Sequence, residues 1–166
     1  MDTSQFFAAV RPELVGDNGP SVRPGDDPLL YGSAVMTPCN PVEVRSFNTF
    51  EITYTVGRIG LDDTGGIRVC FRMISDFGKL QITDPSSPNF LSAKCSGSGK
   101  ISLRIAPEGQ RPWSLAITAQ LNGGYLNEGE QIILTFGDTS QGSPGFMMQT
   151  FAEGGFEFKV MTDVQA

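Results

Sequence analysis

The stretch that decides the fold runs Phe50-Glu51-Ile52-Thr53-Tyr54-Thr55-Val56 and then, after a turn, Ile67-Arg68-Val69-Cys70-Phe71-Arg72-Met73. In the first half large apolar residues alternate with polar ones, and in the second they alternate with Arg68, Cys70 and Arg72. Successive side chains of a strand point to opposite faces, so this period of two marks strands with one face buried. Between them Asp62-Asp63-Thr64-Gly65-Gly66 supplies turn chemistry, because Asp side chains bond nearby backbone and glycine accepts positive φ. A hairpin joining the two strands is expected.

The same period recurs outward from this core. It appears in Ile101, Leu103 and Ile105, in Leu115, Ile117, Ala119 and Leu121, in Ile132, Leu134 and Phe136, and in Phe156, Phe158 and Val160. A weaker strand is expected near Phe90 to Lys94, bracketed by the loops Asp84-Pro85-Ser86-Ser87-Pro88-Asn89 and Ser96-Gly97-Ser98-Gly99. No window of similar length carries a helical period. Short strands with glycine turns and no crossover helices predict an all-β antiparallel sandwich of seven to nine strands, immunoglobulin-like or jelly-roll in type.

Composition fits one such domain. The chain has 166 residues, with 20 Gly and 11 Pro, well above the usual share and suited to many turns, while 39% hydrophobic residues suffice for a core. Residues 11 to 32 hold Pro12, Gly16, Pro20, Pro24, Gly25, Pro28 and Gly32, a density that disfavours a helix. Residues 1–32 are therefore expected to form an extended arm, and 33–166 the sandwich.

There is no histidine, which removes the commonest general acid/base and the commonest ligand of catalytic zinc. A Ser-His-Asp triad cannot be assembled from this chain. With 12 basic against 18 acidic residues, a net charge of -6 and the basic residues scattered along the sequence, nucleic acid is not an expected partner. Nor is a membrane, since no run approaches the length of a span. Cys39, Cys70 and Cys95 are odd in number and lack CxxC spacing, so reduced thiols in a soluble cytoplasmic protein are expected. The first residues show no basic region followed by a secretory apolar run.

Individual motifs carry little chemistry. Ser96-Gly97-Ser98-Gly99-Lys100 suggests a phosphate loop, but Lys94 stands where a glycine is required and Ile101 where Ser or Thr is required. The pairs Asp26-Asp27 and Asp62-Asp63 lack the alternating ligand pattern of a calcium loop. Ser140 and Ser143 have no histidine to activate them. No catalytic, metal-binding or cofactor-binding residue is assigned and no cofactor is expected. Glycoside hydrolysis by two carboxylates alone is chemically open, but no acidic pair here is recognisably set in a pocket.

The connection from Gly137 to Gly145, Gly-Asp-Thr-Ser-Gln-Gly-Ser-Pro-Gly, differs in kind. It follows a strongly patterned strand, is rich in backbone-bonding side chains, and leads directly into Met147, Met148 and Phe151. Asp138, Thr139, Ser140, Met147, Met148 and Phe151 are thus candidates for a contact surface, the plainer alternative being that Asp138 only closes a turn through its side chain and the methionines fill the core. Trp113 and Tyr125 join them as aromatic groups able to stack on a ligand such as a sugar, although Trp113 could equally cap the core.

The C-terminal third carries a resemblance. Arg111-Pro112-Trp113, Gly124-Tyr125-Leu126-Asn127-Glu128-Gly129-Glu130-Gln131-Ile132, Phe136-Gly137-Asp138, Ser143-Pro144-Gly145, Gln149-Thr150-Phe151 and Phe156-Glu157-Phe158 together resemble the N-terminal β-rich region of an uncharacterised bacterial family. In that family a larger domain similar to the PHP-type metal-dependent hydrolases follows. The resemblance covers roughly residues 111 to 163, with Thr139 where a basic residue is often found. It implies a fragment of a longer protein whose metal ligands lie downstream, so that this chain would be a non-catalytic module packed against that domain. The alternative from a different class is a carbohydrate- or ligand-binding module using Trp113, Tyr125 and the loop at Asp138.

Overall fold

The computed structural model describes residues 27–72, 76–107 and 113–164. Most of the expected arm, Met73 and Arg111-Pro112 lie outside the described residues. Within them the chain forms one helical turn and ten strands: α1 (Pro28–Tyr31), β1 (Ser33–Thr37), β2 (Phe47–Asn48), β3 (Phe50–Thr55), β4 (Gly66–Arg72), β5 (Leu91–Cys95), β6 (Lys100–Ala106), β7 (Trp113–Asn122), β8 (Gln131–Phe136), β9 (Phe146–Met147) and β10 (Phe158–Asp163). Two four-stranded sheets, β1-β3-β8-β5 and β10-β4-β7-β6, are antiparallel throughout, and β2 pairs with β9 in a short ribbon. The protein is an all-β antiparallel sandwich.

Period-2 patterning accounts for which faces meet. Ile52, Tyr54, Leu134 and Leu91 of the first sheet and Ile67, Val69, Phe71, Ile117 and Leu121 of the second are all buried in one shared core. Burying each such side chain is worth roughly 1.5–3 kcal/mol relative to exposure. At one end of the core seven phenylalanines interlock. Phe50 stacks on Phe136 with ring centroids 4.7 Å apart, while Phe71 meets Phe136 edge-on at 5.7 Å and Phe158 at 4.8 Å. Phe77, Phe146 and Phe156 complete the group.

The expected hairpin between the first two strands does not form. β3 and β4 lie in opposite sheets, so the segment from Val56 to Gly65 crosses the end of the sandwich instead of folding back within one sheet. Both strands carry a full buried face, and alternation alone does not say whether two such faces lie side by side or opposite. Leu61, 1% exposed and bridged to Leu126, pins the crossing. Counting only the eight longer strands, the first sheet places the seventh beside the second. In immunoglobulin constant domains the fifth occupies that place.

The extended reading is also corrected at residues 28 to 31, which form the single turn α1. Asp27 caps it, its Oδ1 accepting from the Leu29 N–H at 2.9 Å, and Pro28 suits the first helical position. The turn docks on the β3 exit, where the Arg58 and Ile59 N–H groups donate to the Leu29 and Leu30 carbonyls at 2.8 and 3.1 Å. Gly57 permits this approach, since a Cβ there would lie 2.4 Å from the Leu30 carbonyl oxygen. The Tyr54 hydroxyl, at the edge of the core, donates to the Tyr31 carbonyl. Burial pushes the Tyr54 phenol above its ordinary pKa, partly offset by a hydrogen bond with Thr162.

Phe136 touches aromatic rings from both sheets and is fully buried. Phe136→Ala should therefore cost about 3–5 kcal/mol in urea unfolding. Ile133→Ala, on the outer face of the same strand, should cost clearly less.

Candidate functional site

The candidate residues cluster only in part. β7 has ten residues and spans about 30 Å. Trp113 begins it, while Tyr125 lies three residues past its end. Asp138 follows β8 at the phenylalanine end, whereas Tyr125 sits at the opposite end beside the Ser98 turn, bonded to the Ser98 hydroxyl through its backbone N–H at 3.2 Å. The two aromatic candidates therefore do not share a surface with one another. Trp113 is partly buried and paired opposite Arg72 across a β-bulge. Tyr125 is 59% exposed.

The Gly137–Phe151 segment is built around a sharp left-handed turn. Gly137 has φ +66°, and a Cβ there would meet the Phe146 amide nitrogen at 2.1 Å and the Asn48 carbonyl oxygen at 2.6 Å. Both obstacles are backbone, so only glycine fits. The Gly137 and Asp138 N–H groups donate to the Phe90 carbonyl at 2.8 and 3.1 Å. Asp138 then closes the turn twice over: Oδ2 accepts from the Ser92 hydroxyl at 2.5 Å and Oδ1 from the Ser140 N–H at 2.9 Å. These bonds, Ser92 foremost, hold the Asp138 carboxyl below the ordinary aspartate range. Thr139 and Ser140 are exposed at the loop tip.

Farther along, β9 alternates. Phe146 points into the core, Met147 is 39% exposed, and Met148 returns to the core at 8%. Met148, just past β9, is buried and therefore serves the sandwich and not a contact surface. Met147 lies opposite Phe47, itself 40% exposed, and Phe151 is 38% exposed just beyond. The Arg45 N–H donates to the Gln149 carbonyl at 3.0 Å and the Met148 N–H to the Ser46 carbonyl at 2.9 Å, so residues 45–47 run alongside 147–149.

Residues that the periodicity did not single out hold this ribbon in place. Asn89, with φ +64°, accepts from the Met147 N–H through Oδ1 at 2.8 Å and donates its own N–H to the Gly145 carbonyl at 2.9 Å. The Asp76 carboxylate takes the Thr150 N–H at 2.9 Å and its hydroxyl at 2.5 Å, which lowers the Asp76 pKa. Asp84 instead closes its own loop, where the Ser87 and Ser86 hydroxyls lower it to about 2. Asparagine tolerates the left-handed region, so Asn89 after Pro88 was a turn signal. Its long-range role was not local. Chemically, carboxyls lowered in this way are ionised hydrogen-bond acceptors, which suits loop fixation and not proton donation at neutral pH.

No protein-family model, curated protein or solved structure matches the chain.

Two outcomes are expected from this geometry. Gly137→Ala should destabilise by at least about 1–2 kcal/mol, the cost of a side chain in the left-handed region, with the clash against Phe146 added. Asp138→Asn should reduce stability at neutral pH, because the native carboxyl has a depressed pKa and so contributes stability above the unfolded value of about 3.9. That difference from wild type should shrink as pH falls through the folded pKa, in unfolding curves measured from pH 7 to pH 2.

Proposed function

We propose that this chain is a non-catalytic β-sandwich module that docks on a second domain of the same polypeptide, one of the PHP-like metal-dependent hydrolase type. The observation that carries the reading is the β2–β9 ribbon: Phe47 and Met147 stand opposite one another, about 40% exposed, on backbone fixed from both sides. Val42, Val44 and Phe151, each more than a third exposed, belong to the two segments that this ribbon joins. Single exposed apolar residues are ordinary, but a group of them on fixed backbone is the form of a contact surface. Interdomain surfaces use such apolar and methionine groups. The resemblance of residues 111 to 163 to the β-rich region that precedes a PHP-like domain supplies the identity of the partner.

Asp138, Thr139 and Ser140 belong to the same segment. Its rigidity sets where the ribbon stands, and the exposed Thr139 and Ser140 offer polar contacts at the rim. The sandwich would restrict access to the neighbouring active site by its placement.

The test uses Phe47→Ser with Met147→Ser. In the isolated chain this double variant should stay within about 1 kcal/mol of wild type, since two partly exposed positions are changed. In the polypeptide extended through its downstream coding sequence, amide exchange at residues 45–47 and 147–149 should be slower than in the isolated chain, and the variant should remove that protection. Equal exchange in the short and extended chains, or a large loss of stability in the isolated chain, would defeat the docking reading.

A further inference from the structure

Four strands stand at sheet edges: β1 and β5 in the first sheet, β10 and β6 in the second. An edge strand offers unpaired N–H and C=O groups to a further strand, and proteins that must avoid such pairing blunt the edge with a bulge, a proline or an inward charge. Three of the four have neighbours. The Cys39 thiol donates to the Met36 carbonyl at the end of β1. At the start of β5 the Leu91 N–H donates to the Gln81 carbonyl at 2.8 Å. Thr162 of β10 bonds Tyr54, whose hydroxyl reaches the Tyr31 carbonyl, so that edge adjoins α1, into which residues 1–26 lead.

β6 is different. Its seven residues pair with β7 in unbroken register and include no proline, and its inward side chains, Ile101, Leu103 and Ile105, are aliphatic and only partly buried against the core. The Leu121 N–H donates to the Gly65 carbonyl and the Leu121 carbonyl accepts from the Thr64 N–H, so odd-numbered positions of β7 turn their backbone groups to β4 and even-numbered ones to β6. In an antiparallel ladder Ser102, Arg104 and Ala106, opposite those even positions, bond β7, and Ile101, Leu103 and Ile105 turn their N–H and C=O groups away from it. Among the described residues, nothing donates to or accepts from these outward groups.

The strand's own sequence sets what fits this edge. A second β6 laid antiparallel about a twofold axis at Leu103 places Leu103 against Leu103, Ile101 against Ile105, Ser102 against Arg104 and Lys100 against Ala106. Each outward N–H then meets an outward C=O, and aliphatic side chains meet aliphatic ones on the inner side. No like charges stand directly opposite, an arrangement that would destabilise the pair. Such an isologous contact closes at two chains, whereas β6 on a different edge of another copy would run on without closing.

We propose that β6 is a self-association edge, at which a second copy of this chain pairs β6 to β6 and joins the two second sheets into one. The size of the contact sets its strength. Seven residues span about 23 Å, and one strand on one strand belongs with the interfaces under about 1,200 Å², which are weak and transient. A dimer is therefore expected at micromolar concentrations or above. Arg104 comes diagonal to Lys100 and Arg104 of the second copy, at about 7–8 Å, so salt should tighten the pair. The edge is separate from the β2–β9 ribbon and does not depend on its role.

Sedimentation velocity from about 5 to 500 µM, a range suited to weak association, should show monomer passing to dimer, with more dimer in about 0.5 M salt than in about 0.05 M. Amide exchange over the same range locates the contact: Ile101, Leu103 and Ile105 should slow as dimer forms, whereas Ser102 and Arg104, already bonded to β7, should not change. Leu103→Pro removes an outward donor at an edge position that accepts proline, and Leu103→Lys places a charge on the inward side. Each should raise the dissociation constant on the order of tenfold or more. Phe47→Ser with Met147→Ser should leave the dimer unchanged. The exchange pattern is read on the wild-type chain, so it decides the matter even where a Leu103 variant melts early. A chain that stays monomeric throughout, a dimer whose newly protected amides lie elsewhere, or a dimer that both Leu103 variants leave intact would overturn the proposal.

Discussion

The two sheets are held in register with one another by phenylalanine. Phe50 and Phe136 from one sheet and Phe71 and Phe158 from the other meet at centroid distances of 4.7 to 5.9 Å, with Phe146 entering from β9 and Phe77 and Phe156 from connecting segments. Aromatic rings of this kind bury roughly 150–250 Å² each and favour offset or edge-on contact, adding about 0.5–1.5 kcal/mol per pair beyond burial. They fix the distance between sheets at one end and also the course of three loops. With Phe146 seated among the rings, strand alternation forces Met147 outward. Exposure of the Phe47 and Met147 pair is thus a by-product of core anchoring. It gives an apolar surface without requiring the loop to be mobile.

Polar groups in that region do a complementary job. Asp76, Asp84 and Asp138 each gather short hydrogen bonds from hydroxyls and backbone N–H groups, which favours their ionised forms. Asn89 reaches the Met147 N–H far along the chain, while Gln81 closes its own loop through both ends of its amide, donating to the Asp84 carbonyl and accepting from the Thr83 and Asp84 N–H groups. Among the described residues, no buried side-chain nitrogen or oxygen lacks a partner. A region satisfied in this way is fixed by its own hydrogen bonds.

Much of the architecture was determined by the sequence itself. Alternation at Phe50 to Val56, Ile67 to Phe71, Leu115 to Leu121 and Ile132 to Phe136 is enough to define strands, their buried faces and the all-β class, because side-chain direction in a strand depends only on parity. Gly137 and the Asp138 turn were legible for the same local reason. Short strands such as Phe47–Asn48 and Phe146–Met147 hold too few residues to show a period, and α1 rests on one cap and one proline.

Tertiary structure alone decided which strands are neighbours. Parity says that β3 and β4 each have a buried face, but not that those faces oppose one another across the core in place of a shared hairpin. The same limit hid the separation of Tyr125 from Asp138, the return of Met148 to the core, and the position of β6 at a sheet edge. Each depends on pairing between residues tens of positions apart, and hydrophobic burial, being non-directional, sets the inside of every strand without choosing its partner.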